Sequence, residues 1–100
     1  MFIAILDLHT AAADRPAALA RFDAEGDLVR AMPGNVAFRV YAAREDDTAI
    51  AVVHEWDDEA SFARYLGSDS FARLGGSVRP MQTGTTVSRR FRADLLESVA

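Results

Sequence analysis

The side chains best suited to acid–base and aromatic chemistry fall at a few points of the 100-residue chain: Asp7 and His9, Arg39 and Tyr41, then His54, Trp56, Phe62 and Tyr65. An imidazole with its ordinary pKa of about 6.5 can take or give a proton near neutrality, which makes His54 a candidate base. Asp7 interrupts an apolar strand, and a carboxylate there must be solvated, paired, or raised in pKa by burial. Arg39 interrupts a second strand in the same way. It either pairs with an acid, across a dimer for example, or binds an anionic ligand. Trp56, Phe62 and Tyr65 are candidate walls of an aromatic pocket. Each has a plainer reading as well: Trp56 as a core aromatic where a strand meets a helix, His54 as a structural or interface histidine. Asp57, Asp58 and Glu59 read as helix-start acids that favour the helix dipole.

The elements that position these residues follow from periodicity. FIAILDLH (2–9) reads as a strand. Asp14 is a candidate cap for a helix with Pro16 in its first turn. Leu19, Phe22, Gly26 and Val29 recur at helical spacing, and Gly26 implies close approach to a sheet or room for a ligand. Pro33-Gly34 turns the chain into NVAFRVYAA (35–43), and a polar loop at 44–47 leads to TAIAVVHEW (48–56). Asp57 or Asp58 caps a second helix bearing Phe62, Tyr65 and Leu66. Gly67 interrupts it, Ser68 restarts it, and Gly75-Gly76 with Pro80 are expected to stop it. TGTTVSRRF (83–91) is a fourth strand, followed by a short helix or tail at 92–100.

The order is β-α-β-β-α-β, an α+β ferredoxin-like pattern with a four-stranded antiparallel sheet, in one domain with its core at 2–91. Strands 1 and 3 are central and antiparallel. His54 and His9 then lie near opposite ends of the pair, roughly 15–20 Å apart at about 3.3 Å per residue. FIAIL and AIAVV are apolar at every position. A sheet with one wet face alternates, whereas one covered on both faces need not. Two helices cover one face, so a second copy of the sheet is expected on the other. Burying several hundred Å² per chain there is worth on the order of 10 kcal/mol gross, before the cost of association. The expected assembly is a homodimer through the sheet face.

Composition excludes much else. A net charge of −4 and a pI near 5 argue against a nucleic-acid surface. All 11 basic residues are arginine. With no cysteine there are no disulfides, thiolate nucleophiles or Cys-type zinc sites, in keeping with a reducing cytoplasm. No metal-ligand spacing, phosphate loop or nucleophile motif is present. MFIAILDLHT lacks the basic start and long apolar region of a signal peptide. No stretch reaches the roughly twenty apolar residues of a membrane span.

Pro33-Gly34 before FRVY (38–41), HEW at the end of strand 3, and DDEASFARYLGSDSFARL together resemble the antibiotic biosynthesis monooxygenase domain of the dimeric α+β barrel superfamily, over residues 2 to about 91. The resemblance implies a dimeric barrel and, in some members, cofactor-independent oxidation of a quinol or polycyclic phenol. That chemistry needs an apolar, water-excluding pocket and a base or anion-stabilising donor, so that the phenolate can pass an electron to O₂. On this reading Asp7, Arg39 or His54 handles the phenolate, Trp56, Phe62 and Tyr65 form the wall, and no cofactor or metal takes part. Quinol-oxidising relatives match at Trp56 but place Asn and Tyr where this chain has Val52 and Phe62. Haem-degrading relatives use a strand-1 Asn, a helical Trp and a His. Strand 1 here has no Asn, and the other two positions hold Tyr65 and Gly75, which argues against haem degradation. The competing classes are a non-catalytic dimeric ligand-binding or stress-response protein of the same fold, and an isomerase or cyclase using one buried acid or histidine.

Overall fold

The computed structural model describes residues Met1–Ala100. Four strands, β1 (Phe2–Thr10), β2 (Asn35–Ala42), β3 (Ala49–Trp56) and β4 (Gln82–Arg92), form one antiparallel sheet in the order β2-β3-β1-β4. Helices α1 (Arg15–Arg30), α2 (Glu59–Leu66) and α3 (Asp69–Val78) complete the expected β-α-β-β-α-β order, with the second helix broken in two at Gly67.

Register decides which side chains can meet. Phe2 pairs with Trp56, Ala4 with His54 and Leu8 with Ile50, so the even-numbered residues of both central strands share one face. That face carries the core, including Phe2, Ala4, Leu8, Val52, Trp56 and, from β2, Phe38. α1 supplies Ala18, Phe22 and Val29 to it, α2 supplies Phe62 and Tyr65, and α3 supplies Leu74 and Val78. Ile3, Ile5, Ala51 and Val53 point the other way and stay half-buried, with Tyr41, Val87 and Phe91 exposed beside them. No helix covers this second face, so the apolar odd-numbered positions of FIAIL and AIAVV lie on a side of the sheet that the chain itself leaves open.

Local chemistry sets the corner that carries the aromatic residues. Asp58, in extended backbone, accepts from the N–H and the hydroxyl of Ser61, both at 2.8 Å, and so starts α2. Ser68 accepts from Phe71 N–H at 3.2 Å and donates to Tyr65 O at 2.6 Å, tying the end of α2 to the start of α3. Gly34, at φ +83°, sits against the Ser61 hydroxyl, so a side chain would meet both backbone strain and a clash. Its carbonyl accepts from Asp57 N–H at 2.8 Å, joining the β2 turn to the start of α2.

Three local expectations need correction, and the open choice between helix and tail at the C-terminus falls to the tail. Asp14 makes no side-chain cap, because a 3₁₀ turn over Ala12–Asp14 already holds it in helical backbone. Gly26 is buried against the Arg30 guanidinium rather than the sheet, leaving a path for Arg30 Nε to reach Phe38 O at 3.1 Å. Gly75-Gly76 do not stop α3, because Leu74 and Val78 on either side of the pair are both buried and hold the turn. Residues 93–100 form no helix; Ala93 N–H bonds to Met1 O at 2.9 Å and the rest is exposed. No helix is long and apolar enough to cross a membrane.

Candidate functional site

The C-terminal half of β3 places Val52, His54 and Trp56 in a row under α2, each on the helix-facing side by strand parity. Trp56 is fully enclosed, and its indole N–H donates to His54 Nδ1 at 2.9 Å. This bond selects the tautomer: Nδ1 is the acceptor, so the neutral ring carries its proton on Nε2. Nε2 has no partner in the chain, yet no enclosed polar side-chain atom lacks one, so Nε2–H reaches the adjoining cavity.

Aromatic rings surround this imidazole. Phe38, Phe62 and Tyr65 lie 5.5–5.6 Å from it, centre to centre, and Trp56 stacks on Tyr65 at 5.4 Å. Burial in this shell, with the Arg90 charge adding to it, pushes the His54 pKa down to about 4. Burial, reinforced by the Glu25 carboxylate, pushes Tyr65 up to about 12. Glu25 is itself held below the usual carboxylate range by hydrogen bonds from Arg73, at 2.9 and 3.1 Å, and from Ser70. Around neutral pH the site therefore presents an uncharged N–H and an uncharged phenol rather than a base.

The cavity beside His54 measures about 110 Å³. Val52, Phe62, Tyr65 and Phe71 contribute apolar and aromatic wall, and its remaining polar groups are Ser88 and Arg90 from β4. The Arg90 guanidinium stands 5.0 Å over the Phe62 ring, and its Nε bonds to Ser88 Oγ at 3.4 Å. A cation, a neutral N–H donor and aromatic walls suit an aromatic anion. At Val52 and Phe62, where the quinol-oxidising pattern has polar residues, the wall stays apolar; the polar groups come from His54 and β4 instead.

The structure brings His54, Trp56, Phe62 and Tyr65 together and places Asp7 and Arg39 on the opposite face of the sheet. Asp7 bonds to Arg89 at 3.4 Å, and Arg39 lies 3.6 Å from Glu55. His9, opposite Ala49, pairs with Asp46 at 3.5 Å, well away from His54 opposite Ala4. Neither histidine lies on α3, and Gly75 has Arg79 beside it. No group of three or more His, Asp or Glu side chains is placed to hold a metal ion. Arg90 is the functional candidate that sequence reasoning missed. Its signal lay in the Arg89-Arg90 pair, since adjacent residues of a strand face opposite ways.

The family model for antibiotic biosynthesis monooxygenase matches residues 1–74. Among solved structures, a proposed antibiotic biosynthesis monooxygenase from Deinococcus radiodurans superimposes with a TM-score of 0.89 at 12% identity, covering 100% of this chain and 99% of its own. One from Nitrosomonas europaea gives 0.88 at 12%, covering 93% and 98%. A conserved protein from Methanosarcina mazei Go1 gives 0.87 at 15%, covering 93% and 92%. At these identities the likeness establishes the fold. No curated protein matches the chain.

Proposed function

The chain belongs to the antibiotic biosynthesis monooxygenase family, and from that premise we propose that it oxidises a quinol or polycyclic phenol with O₂, without a metal, flavin or haem. The observation that carries this reading is the aromatic cavity into which His54 Nε2–H and Arg90 both open. Both groups stabilise a phenolate, so the bound hydroxyl gives up its proton to solvent more readily than the free one does. The phenolate raises electron density on the ring, which transfers an electron to O₂. For an anthrone-type substrate the balance closes without an added reductant. One oxygen atom becomes the new ring carbonyl, and the other leaves as water with the two hydrogens of the oxidised carbon. Trp56 keeps the imidazole in the donor tautomer, while Phe62 and Tyr65 exclude water.

Asp7 and Arg39 belong to this proposal only as groups on the dimer face, each balancing a neighbouring charge. The non-catalytic reading, a dimeric ligand-binding protein, rests on the same cavity and draws support from the apolar Val52 and Phe62 positions. Oxygen uptake separates the two. Purified protein freed of metals should consume O₂ with an anthrone, releasing the quinone and water, or with a hydroquinone, releasing the quinone and hydrogen peroxide. Tight binding of such compounds without uptake would favour the binding protein.

The reading includes a cytoplasmic homodimer that buries the half-covered face of Ile3, Ile5, Ala51, Val53 and Phe91. Light scattering at micromolar concentration should give about twice the chain mass of 10.9 kDa; a stable folded monomer would remove the dimer from the account.

A further inference from the structure

A second cavity of about 280 Å³ adjoins the first, and the two share Leu6, Phe22, Tyr65 and Phe71 as walls. It runs toward the other end of β1 and ends among Leu8, Val78, Arg79 and Gln82. The inner lobe, at about 110 Å³, is smaller than the roughly 300–1,000 Å³ usual for ligand sites. A polycyclic ligand anchored at His54 must therefore extend into the outer one.

The charges along this cleft are one-sided. The chain has 15 acidic residues against 11 basic ones. Yet no acid lines either lobe, and the only charged lining residues are Arg90 in the inner lobe and Arg79 in the outer. Neither forms an ion pair, as is also true of Arg15, Arg21, Arg44 and Arg64. Arg79 lies alongside Gly75, its guanidinium carbon 3.7 Å from where a Cβ would stand. Arg90 pairs in register with Ala4, while Leu8 lines the outer lobe. Four residues of strand, roughly 13 Å, separate those levels.

We infer that the cleft takes an aromatic acid with anionic groups at both ends: a phenolate held by His54 and Arg90, and a carboxylate on the far ring held by Arg79. Arg79 is then a specificity residue, since a guanidinium binds a carboxylate through two parallel N–H bonds. The inference rests on the phenolate reading of the inner lobe, and it concerns binding rather than turnover.

Titration calorimetry with 2-naphthol and 6-hydroxy-2-naphthoate tests it, because the second compound adds a carboxylate at the end remote from the hydroxyl. Wild type should bind the hydroxynaphthoate at least about tenfold more tightly. Arg79→Gln should bring the two affinities together while leaving 2-naphthol unchanged, and Arg79→Lys should restore part of the difference. Equal affinities in wild type, or a preference that survives Arg79→Gln, would overturn the inference and leave the inner-lobe reading standing. Arg79-dependent preference without O₂ uptake would uphold the inference and remove the oxygenase activity. If neither compound binds, both fail together.

Discussion

Replacing His54 by phenylalanine should lower turnover of a phenolic substrate by about 10²–10³-fold, the usual loss when one preorganised donor to a developing anion is removed. Replacing it by glutamine should preserve most of the rate. The contrast follows from the tautomer. Trp56 donates to Nδ1 at 2.9 Å, so His54 serves the cavity through Nε2–H. Glutamine carries an acceptor for the indole and a donor for the phenolate in one amide group. Phenylalanine carries neither and leaves the buried indole N–H unpaired. If His54 acts instead as a base, glutamine fails as badly as phenylalanine, because an amide does not take up the proton. Stopped-flow turnover of both variants, with circular dichroism to confirm folding, distinguishes the two roles.

Acid should weaken the fold through the same residue. The folded-state pKa of His54 is about 4 against the ordinary 6.5, a depression caused by burial and then by Arg90. Between those values the unfolded chain binds a proton that the folded chain refuses, so stability rises with pH. The contribution is fully present above pH 6.5 and is lost as pH falls toward 4. Groups packed around the ring (Phe38 from β2, Trp56 from β3, Phe62 and Tyr65 from α2, Arg90 from β4) offer no acid to hold a proton there. At about 1.4 kcal/mol per pH unit, urea unfolding should show a loss of about 2 kcal/mol between pH 6.5 and 5. Below that window Glu25, Asp46 and Asp58 add their own losses, because hydrogen bonds hold each below the ordinary carboxylate range. His54→Phe should be less stable at pH 7 yet nearly flat from 6.5 to 5. The same slope in the variant would assign the effect elsewhere.

Much of this architecture is legible from residue types. Alternation and caps are local, so Asp58, Ser68 and the break at Gly67 could be read before any contact was known. Strand parity put His54 and Trp56 on one face, and antiparallel order separated His54 from His9. Parity between strands is another matter, because a slip of one residue exchanges the faces. Asp7 and Arg39 therefore stood beside His54 as candidates until the pairings of Asp7 with Ala51 and Arg39 with Val53 put them on the far side. Arg90 was harder still. The irregular stretch between Thr83 and Val87, where Gly84 adopts φ +65°, breaks the register of β4 against β1. Counting along the strand from its start does not tell which of Arg89 and Arg90 faces the helices. The helix through Gly75-Gly76 likewise depends on burial of Leu74 and Val78 rather than on glycine's own preference.

The central claim is that the cavity beside His54 binds a phenol as its anion. The ultraviolet absorption of bound 2-naphthol at pH 7, where the free hydroxyl is un-ionised, reads this directly. A red-shifted naphtholate band is predicted on binding, reduced in Arg90→Gln and abolished in His54→Phe. A bound ligand that keeps the spectrum of the neutral phenol would contradict the account.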